Sequence, residues 1–479
     1  MKKSNKVLMA LCCAISILTA FFSGCYLANE QDNPFDPENL PPAFAKTYEG
    51  TSGDSGYGLC QTPDGGYIIA GGTSSFGTDG DVWVIKLDKK GTIQWQKSLD
   101  SGQDEMARSV HMTRDGGFII GGNRGNEDTL YQAWVVKLDA EGSVEWNRSF
   151  GTVGGNMYDT IKDVIQTSDG GYMFIGSTND GSFEFNSSDI WIGKLDTDGH
   201  LQWQYRYGHQ DSNMDDVGHS VIETTDGGYI VAGETKAYDV DGTDAWIMKM
   251  TAAGSIALGG GTPLPRKAFG GTGNDTVNSL IATDDGGIIC AGRTNSFGAG
   301  GYDAWVIKLD INLSIEWQKT YGTAAGNESA SSIKACLDGG YMFTGTTTAG
   351  HGGDDIWVVK LDSAGSIQWQ KAFGNANHDE AQTGIQTADG WFAVAGSTFY
   401  GDSDTTHNNV WLLRLDVDGD AGSMAINTNA LSSSPGSVTI TTPASGNDTD
   451  RNPLSSGMGE YDPVCTVGTT SAVTGIQYP

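Results

Sequence analysis

The chain is poor in charged residues, and positively charged residues are especially scarce. Only 18% of the 479 residues are charged, and 28 Lys and Arg stand against 59 Asp and Glu, for a formal net charge of −31. A protein this acidic does not hold nucleic acid by releasing counterions from the phosphate backbone, so nucleic acid is not an expected partner. The low charge density also excludes a coiled coil.

The chain also lacks close pairs of cysteines and the common catalytic signatures. Beyond residue 24 the cysteines are widely spaced, with no C-x-x-C, which excludes a disulfide scaffold and a cysteine metal site. There is no G-x-S-x-G elbow, no Walker loop, no G-x-G-x-x-G in a βαβ setting and no sustained helical period. We therefore predict no cofactor from motifs, and no α-helical domain.

The N-terminal 25 residues have the layout of an export signal. Three lysines within the first six residues precede an apolar run, Val7–Phe22, which is short for a membrane-spanning helix. The run ends in FSGC, and small residues directly before a cysteine resemble the lipobox of bacterial lipoproteins. The resemblance implies that residues 1–25 are a lipoprotein signal and that Cys25 carries the lipid.

The residue after this cysteine bears on location. In Gram-negative lipoproteins an Asp at this position favours the inner membrane, whereas this chain has Tyr26. The resemblance thus implies an exported protein, lipid-anchored at the outer membrane or cell surface, with the membrane as one partner. The alternatives are an ordinary secretory signal with an incidental cysteine, and an uncleaved transmembrane anchor.

Composition divides the rest of the chain into three parts. Residues 26–42 are polar with four prolines and are expected to be a flexible tether. Residues 43–419 hold all the repeated motifs described below. Residues 420–479 are rich in Ser, Thr, Gly and Asn, and we expect a mostly irregular tail with one strand near 437–441.

The middle part consists of seven copies of one unit. Each copy has an Asp-Gly turn at a spacing of 51–59 residues: Asp64, Asp115, Asp169, Asp226, Asp285, Asp338 and Asp389. A tryptophan follows each turn: Trp83, Trp134, Trp191, Trp246, Trp305, Trp357 and Trp411. Twelve residues later, five units have a second one: Trp95, Trp146, Trp203, Trp317 and Trp369. Repeats of this length are typical of solenoids and propellers.

Each unit reads as four short strands separated by Gly, Asp and Asn turns. Four-stranded units repeated seven times predict an all-β, seven-bladed β-propeller with antiparallel blades, which we expect to be a monomeric domain. The twelve-residue spacing predicts that the two tryptophans of a unit lie roughly opposite each other across the last hairpin. The first tryptophans are expected to be structural.

The ends of the repeat region indicate how the ring closes. The seventh unit lacks a fourth strand, and the segment Phe44–Tyr48 matches Trp317–Tyr321 with Phe in place of Trp. We therefore expect the N-terminal strand to complete blade 7. Blade 4 is irregular, with Leu258 at the expected tryptophan position and a Pro-containing insertion that reads as a tolerated surface loop or a binding loop.

The repeats resemble known propeller motifs. The hairpin V-x-K-L-D-x-x-G-x-I-x-W resembles the tryptophan-docking motif of quinoprotein propellers, and T-x-D-G-G-Y resembles the Asp-box of sialidases. The whole unit resembles a repeat class of exported bacterial and archaeal proteins of unassigned function. The resemblance implies a propeller fold; no quinone-ligating pattern and no sialidase arginine triad carries over to this sequence.

The most regular polar feature is a ring of acids, which we call the ring acids. One carboxylate stands ten residues before each turn Asp: Asp54, Glu105, Asp159, Asp216, Asp275, Glu328 and Asp379. They could form a ligand or cation face, for which Ca²⁺ is the cofactor that such a pattern admits. Alternatively they serve the repeat, by accepting backbone N–H bonds or by pairing with a repeated cation: Lys86, Lys137, Lys194, Lys249, Lys308, Lys360 and Arg414.

Histidines and a short acidic loop supply weaker metal candidates. His209 and His219 flank a segment that contains Asp215 and Asp216, although their spacing matches no zinc signature. The segment Asp416-x-Asp418-x-Asp420 resembles a calcium loop without its glycine and its final Glu. We predict no metal site from either pattern.

These observations favour a lipid-anchored, extracytoplasmic propeller that acts as a non-catalytic binding or scaffolding module for a protein or glycan ligand. The reason is that each polar motif is repeated, whereas catalysis needs an asymmetric group of residues. One alternative is a glycan hydrolase or lyase. Its unit-specific candidates are Arg108, His111, His209, His219, Arg293 and His378. The other alternative is a purely structural surface protein.

Overall fold

The computed structural model describes the propeller and three short strands of the tail. The described residues are 41–76, 80–125, 131–152, 158–179, 188–208, 215–236, 242–256, 265–350, 352–400, 407–421, 458–461, 466–468 and 476–477. All regular elements among them are β-strands. None of the described residues belongs to a helix long and apolar enough to cross a membrane.

Each blade begins with a first strand and a second strand joined by the Asp-Gly turn. The first strands are β2(Asp54–Gln61), β6(Asp104–Met112), β10(Thr160–Gln166), β14(Val217–Glu223), β18(Asp275–Ala282), β22(Glu328–Ala335) and β26(Asp379–Gln386). The second strands are β3(Tyr67–Thr73), β7(Phe118–Gly125), β11(Tyr172–Thr178), β15(Tyr229–Thr235), β19(Ile288–Thr294), β23(Tyr341–Thr347) and β27(Phe392–Tyr400). Each first strand contacts the first strands of both neighbouring blades, so together they surround a central channel.

A third strand and an outer strand complete each blade. The third strands are β4(Asp81–Leu87), β8(Gln132–Leu138), β12(Asp189–Leu195), β16(Asp244–Met250), β20(Asp303–Leu309), β24(Asp355–Leu361) and β28(His407–Leu415). The outer strands are β5(Ile93–Asp100), β9(Val144–Thr152), β13(Leu201–Tyr207), β17(Arg266–Phe269), β21(Ile315–Tyr321), β25(Ile367–Phe373) and β1(Phe44–Tyr48). All pairings within the blades are antiparallel, which confirms the seven-bladed propeller.

The N-terminal strand closes the ring. β1 pairs antiparallel with β28, with Phe44 opposite Arg414 and Tyr48 opposite Val410. The same offset relates Trp317 to Lys308 in blade 5, so the predicted match between Phe44 and Trp317 is confirmed. Closure therefore joins the two ends of the repeat region in one blade.

The core consists of separate apolar layers between neighbouring blades. One layer joins Ile230 and Ile247 of blade 4 to Cys290 and Ile307 of blade 5, and similar layers occupy the other seams. The third strands have apolar sequences similar to WVIKL. They are buried on both faces because each face contacts a different blade. Burying one Leu or Ile side chain stabilises by roughly 1.5–3 kcal/mol, so each seam is a substantial hydrophobic contact.

The two tryptophans of a unit do not lie opposite each other, and the prediction that they do was wrong. Trp83 lies opposite Ser98, while Trp95 lies opposite Lys86, three residues along β4 from Trp83; the register shift between Lys86 and Leu87 accounts for one of these three residues. The second tryptophan instead reaches the next blade: the Trp95 ring packs edge-on against Phe118 of blade 2, 6.2 Å between centroids.

The second tryptophan covers a glycine in the last hairpin turn of that next blade. Gly142 has a φ of 78°, and a Cβ placed on it would lie 2.8 Å from the Trp95 ring, so only glycine satisfies both the backbone and the contact. Phe44 takes the place of tryptophan at the closing seam. The same docking occurs in the pairs Trp146–Gly199, Trp203–Gly254, Trp317–Gly365, Trp369–Gly419 and Phe44–Gly91.

The seam between blades 4 and 5 breaks this pattern in both partners at once. The register of β17 places Pro265, which is not aromatic, at the position of the second tryptophan; Leu258, the position expected from sequence, lies outside the described residues. Leu313 replaces the turn glycine, with a φ of 58°, and is fully buried in the apolar layer of this seam. The leucine side chain thus fills space that a ring fills elsewhere.

The described part of the tail forms strands along the outside of three blades. β29(Met458–Tyr461) pairs with β9, β30(Thr466–Gly468) pairs with β5, and β31(Ile476–Gln477) pairs with β1. The expected strand near 437–441 lies outside the described residues. Edge pairing of this kind caps backbone groups that the outer strands would otherwise leave open.

We predict that Pro265 and Leu313 are energetically coupled. Pro265→Trp alone should lower the free energy of unfolding because the ring collides with Leu313. Leu313→Gly alone should lower it by about 2–5 kcal/mol because the substitution leaves a cavity. In the double variant the ring can dock on the new glycine, so the loss should fall at least ~1 kcal/mol short of the sum. Chemical denaturation of the three variants measures this difference; additive losses would contradict the docking interpretation. Gly365→Leu, which faces Trp317, is the matched overpacking control.

Candidate functional site

The ring acids lie inside the blade seams rather than on an open face. All seven are at most 3% exposed. They tie together the loop that enters the first strand: the backbone N–H of Gly50 donates to Asp54 over 2.7 Å, and that of Asn375 donates to Asp379 over 2.7 Å. The hydroxyl of Thr178, on the second strand, donates to Asp159. These contacts join loop, first strand and second strand within a blade.

Several ring acids face a second buried carboxylate from the preceding blade. A Cβ on Gly374 would touch both Asp355 and Asp379, and the Asp355 charge contributes to the raised pKa of Asp379. Burial is the main cause, and it raises the pKa of Asp379 to about 6 and that of Glu105 to about 7. Carboxyl oxygens of Asp81, Asp100 and Glu105 lie within 4.8 Å of one another, a group that could hold a metal ion, with the Arg124 charge acting on Glu105.

The repeated cations pair with the turn aspartates at the other end of the blades, not with the ring acids. The Lys86 ammonium is 2.9 Å from Asp64, and the Arg414 guanidinium is 2.6 Å from Asp389. The same pair occurs in the other five blades at 2.8–3.1 Å: Asp115–Lys137, Asp169–Lys194, Asp226–Lys249, Asp285–Lys308 and Asp338–Lys360. These pairs fix the Asp-Gly turn to the third strand.

The other metal candidates are separated or committed to turns. His209 lies outside the described residues, and His219 lines the channel. Asp216 is buried in a seam, whereas Asp215 is exposed near the channel opening, where it accepts a hydrogen bond from the Ser188 N–H. Asp416 accepts the backbone N–H groups of Asp418 and Asp420, as Asp88 does in blade 1. The Asp416 segment is thus the turn after the third strand of blade 7, equivalent to the last hairpin turn of the other blades. Cys25 also lies outside the described residues.

The first tryptophans fill the seams. Five of them are at most 2% exposed, Trp246 is 4% exposed, and Trp411 is half-buried. The indole N–H of Trp191 donates to Gln204 on the outer strand of its own blade, and Trp305 and Trp357 bond Gln318 and Gln370 in the same way. In these three blades the tryptophan ring thus packs in the seam while its N–H is bonded within its own blade.

Each first strand contains a β-bulge three residues after the ring acid. In blade 1 the register shifts between Gly56 and Gly58, so Tyr57 is the extra residue, and blades 2–7 shift at the same place. The bulge residues are Tyr57, Arg108, Lys162, His219, Asn278, Ser331 and Gln382. All seven line one channel cavity of about 120 Å³. A bulge re-aims a side chain away from the ladder, which places these residues at the centre of the ring.

The residue after the bulge fixes it to the neighbouring blade. The Ser109 hydroxyl accepts the Val164 N–H of the next first strand over 3.2 Å, and Ser279 accepts the Ile333 N–H over 3.2 Å. Asp163 occupies this position in blade 3, where it accepts the Val221 N–H and lies 2.9 Å from the His111 ring. The bulge residues are therefore held by bonds that link adjacent first strands.

Two wider cavities open from the channel toward the end where the first strands begin. The smaller one, of about 420 Å³, shares the lining residues His219 and Asn278 with the channel cavity. The larger one, of about 550 Å³, shares the lining residues Glu234 and Arg293 with the smaller one. We call these two cavities the mouth. Its wall includes Tyr158, which is 49% exposed and stacks on Tyr131 at 5.7 Å, and Tyr302. The three cavities form one funnel.

The bottom of the funnel is basic. The Arg108 guanidinium lies over the Tyr57 ring at 5.0 Å, and the buried Nε of Arg108 has no hydrogen-bond partner among the described residues. Burial, followed by the Arg108 charge, lowers the pKa of Lys162 to about 8, and burial lowers that of His219 to about 3. Within the described part of the chain, no hydrogen bond or ion pair engages the Lys162 ammonium.

The rim of the mouth is acidic but paired. Asp354 lies 3.1 Å from the His378 ring, Asp215 lies 3.6 Å from Lys236, and Glu380 accepts a bond from Gln382. Burial raises the pKa of Glu234, while the Arg293 charge opposes that shift. The Arg293 guanidinium in turn lies over the Tyr302 ring at 4.7 Å. The mouth thus offers carboxylates, guanidinium and tyrosine rings together.

The sequence identified part of this site. Arg108, His219 and Arg293 were unit-specific candidates and meet in the funnel, His378 lies at the rim, and His111 pairs with Asp163. Sequence reasoning missed the bulge residues Tyr57, Lys162, Asn278, Ser331 and Gln382 and the rim residues Tyr158, Glu234 and Tyr302. These bulge residues stand at a fixed offset of three from each ring acid, but the offset selects seven different amino acids, so no motif marks them.

No protein-family model matches the chain. The chain is 20% identical over 361 residues to the Regulatory protein FlaEY of Caulobacter vibrioides; the match covers 62% of this chain and 36% of that protein, so the chain spans little more than a third of its length. Two solved structures are similar at 10% identity. The match to polysaccharide lyase Uly1 has a TM-score of 0.42 and covers 77% of this chain and 90% of that chain. The match to a protein of unknown function from Dyadobacter fermentans has a TM-score of 0.44 and covers 77% of this chain and 97% of that chain.

We predict that stability passes through a maximum at mildly acidic pH. Glu105 and Asp379 have raised folded pKa values of about 7 and about 6, so their contribution is present below the unfolded pKa and is lost as pH rises through those values. Bonds from Lys308 and Thr283 hold the pKa of Asp285 at about 2, so its contribution is lost as pH falls from roughly 4 toward 2. Denaturation at several pH values should show both limbs.

Glu105→Gln is the variant that tests the alkaline limb. It should flatten the loss of unfolding free energy between pH 5 and pH 8, because the glutamine has no proton to release. Glu141→Gln, an exposed turn residue of the same blade, is the control and should leave the slope unchanged. An unchanged slope in Glu105→Gln would show that the pKa of this acid is not raised in the folded protein.

Proposed function

We propose that the chain is a lipid-anchored, extracytoplasmic binding or scaffolding module that takes its protein or glycan ligand at the mouth of the propeller channel. The observation that carries the proposal is the bulge position, where seven structurally equivalent sites hold seven different residues in one cavity. The repeated polar motifs, by contrast, serve the blades: the turn aspartates pair with the repeated cations and the ring acids accept bonds from their own loops. Unlike residues that converge on one open cavity are typical of a binding site.

The shape of the funnel favours an extended ligand. The channel cavity of about 120 Å³ has room for only a small chemical group, whereas the mouth cavities of about 420 and 550 Å³ match ordinary ligand sites. A glycan chain or a peptide segment fits this taper, and a folded domain contacts the rim alone. The tyrosine faces and amide side chains of the mouth supply apolar and hydrogen-bonding surface.

Catalysis on glycans is the second candidate function. Lys162, with its pKa lowered to about 8, is partly neutral at slightly alkaline pH and is thus a candidate proton acceptor beside Arg108. The two functions differ in the fate of the ligand: a binding module returns the ligand unchanged, whereas a lyase or hydrolase releases shorter chains.

We predict that Arg293→Ala weakens ligand binding about tenfold or more, because it removes the guanidinium shared by both mouth cavities. The measurement is a panel of envelope glycans and native envelope proteins titrated against the full mature chain, with the retained ligand checked for cleavage. Arg114→Ala is the matched control, since Arg114 is an exposed arginine at the opposite end of a first strand. Equal binding by both variants would move the site away from the mouth, and cleaved ligand would make the protein an enzyme.

We predict that Cys25→Ser abolishes lipid attachment when the full chain is expressed in a Gram-negative bacterium. The wild-type chain should incorporate labelled fatty acid and fractionate with the outer membrane, because the acylated cysteine becomes its N-terminus. Cys60→Ser, which changes a cysteine inside the propeller, is the control and should retain the label. Incorporation of label by Cys25→Ser would contradict the lipoprotein interpretation.

A further inference from the structure

The charge in the funnel is divided between its two levels. The bottom holds Arg108, Lys162 and Lys334, while its carboxylate, Asp163, is engaged by His111 and by the Val221 N–H. The rim holds four carboxylates, Glu234, Asp354, Glu380 and Asp215, together with two cations, Arg293 and Lys236. A ligand that fills the funnel therefore meets mainly cations at its tip and mainly carboxylates around its body.

Among the described residues, Arg108 and Lys162 make no direct ion pair, although the Glu234 charge acts on Lys162 from the rim. Lys162 and Arg108 face each other across the blade 2–blade 3 seam closely enough for the Arg108 charge to disfavour the Lys162 charge. Two like charges that are held close together repel each other, and an anion bound between them would relieve this repulsion. The Arg108 guanidinium is half-buried on the Tyr57 ring and keeps its planar donor edge for a planar anion such as a carboxylate.

The rim selects for hydroxyl groups rather than for further anions. Carboxylates accept hydrogen bonds and do not donate them when ionised, so the rim acids suit the hydroxyls of a sugar and repel a polymer charged on every residue. Asn274 lies on the same wall, where its amide accepts the Thr243 N–H and donates to the Tyr302 hydroxyl. Tyr158 and Tyr302 offer ring faces, which suit the C–H face of a pyranose.

From this arrangement we infer that the funnel binds a glycan chain that ends in a carboxylate-bearing sugar, with the carboxylate on Arg108 and Lys162 and the sugar hydroxyls at the rim. The inference rests on the proposed function and names its ligand class. The size agrees, since a cavity of about 120 Å³ holds the volume of roughly four waters and thus admits one carboxylate group but not a second sugar ring.

The first experiment compares matched disaccharides by calorimetry on the full mature chain. The probes are disaccharides ending in glucuronate or galacturonate, their carboxyl methyl esters, the neutral hexose analogues and a 6-sulfated hexose analogue. We expect at least one uronate to bind at least tenfold more tightly than its methyl ester and its neutral analogue. Equal affinity for acid and ester, or preference for the sulfate, overturns the inference.

The second experiment assigns the carboxylate to the bottom of the funnel. Arg108→Gln and Lys162→Gln should each weaken uronate binding by on the order of tenfold to a hundredfold and leave binding of the methyl ester unchanged. Lys162→Arg should keep most of the affinity because it keeps the charge. Arg114→Gln, outside the funnel, is the control for general charge effects. Parallel loss of acid and ester binding would indicate a structural role for these residues and overturn the assignment.

The pH profile gives a readout that a structural role does not move. The charged groups that act on Lys162 are Arg108, which lowers its pKa, and Glu234, which raises it; His219 of the next blade also faces it and is neutral at pH 7. A bound carboxylate requires the ammonium form, so uronate affinity should fall about tenfold between pH 7 and pH 9 in the wild type. The fall should vanish in Lys162→Arg, and a flat wild-type profile contradicts the contact.

These outcomes separate the inference from the function on which it rests. If another ligand binds at the mouth in an Arg293-dependent way while the uronates do not bind, the binding function stands and the ligand class is wrong. If neither the uronates nor the wider panel binds, the proposed function itself fails.

Discussion

The structure depends on an aromatic ring from one blade lying on a glycine turn of the next. The ring supplies apolar area to the seam, and the glycine supplies the positive φ that lets the turn approach it. Because each blade provides the ring for its successor, a ring of blades has no natural end, and Phe44 must return to cover Gly91. At Leu313 the seam is filled without a ring, which shows that volume is conserved rather than residue identity.

The need to repeat the same contacts in every blade explains where the polar residues of the molecule lie. The pair Lys308–Asp285 holds a turn to a third strand, and Asp275 holds a loop to a first strand, so each must be repeated in every blade. The bulge residue lies outside both tasks, since it is extra to the ladder and faces the channel. It is therefore free to differ between blades, and the binding site that we propose lies where structural demand is least.

The same distinction separates what the sequence could predict from what it could not. The seven units, the strand order and the match of Phe44 to Trp317 follow from local motifs at constant spacing. The position of Trp95 was mispredicted because spacing along the chain does not fix where a hairpin turns: the turn and a one-residue bulge together place Trp95 opposite Lys86, three residues from Trp83. Lys162 was missed because the seven bulge positions are equivalent in the fold but hold different residues, so the sequence shows no motif there. The sequence also does not tell whether Asp54 points into a seam or into the mouth.

In the binding function that we propose, the distribution of charge would select the ligand. With a net charge of −31 and an acidic rim, the protein repels dense polyanions at distances within the Debye length of about 8–10 Å. A chain with a single terminal carboxylate meets little of this repulsion, and its charge gains most at Arg108 and Lys162, where burial weakens screening. An acidic surface and a basic channel thus act in the same direction: together they favour ligands whose charge is confined to the end that enters first.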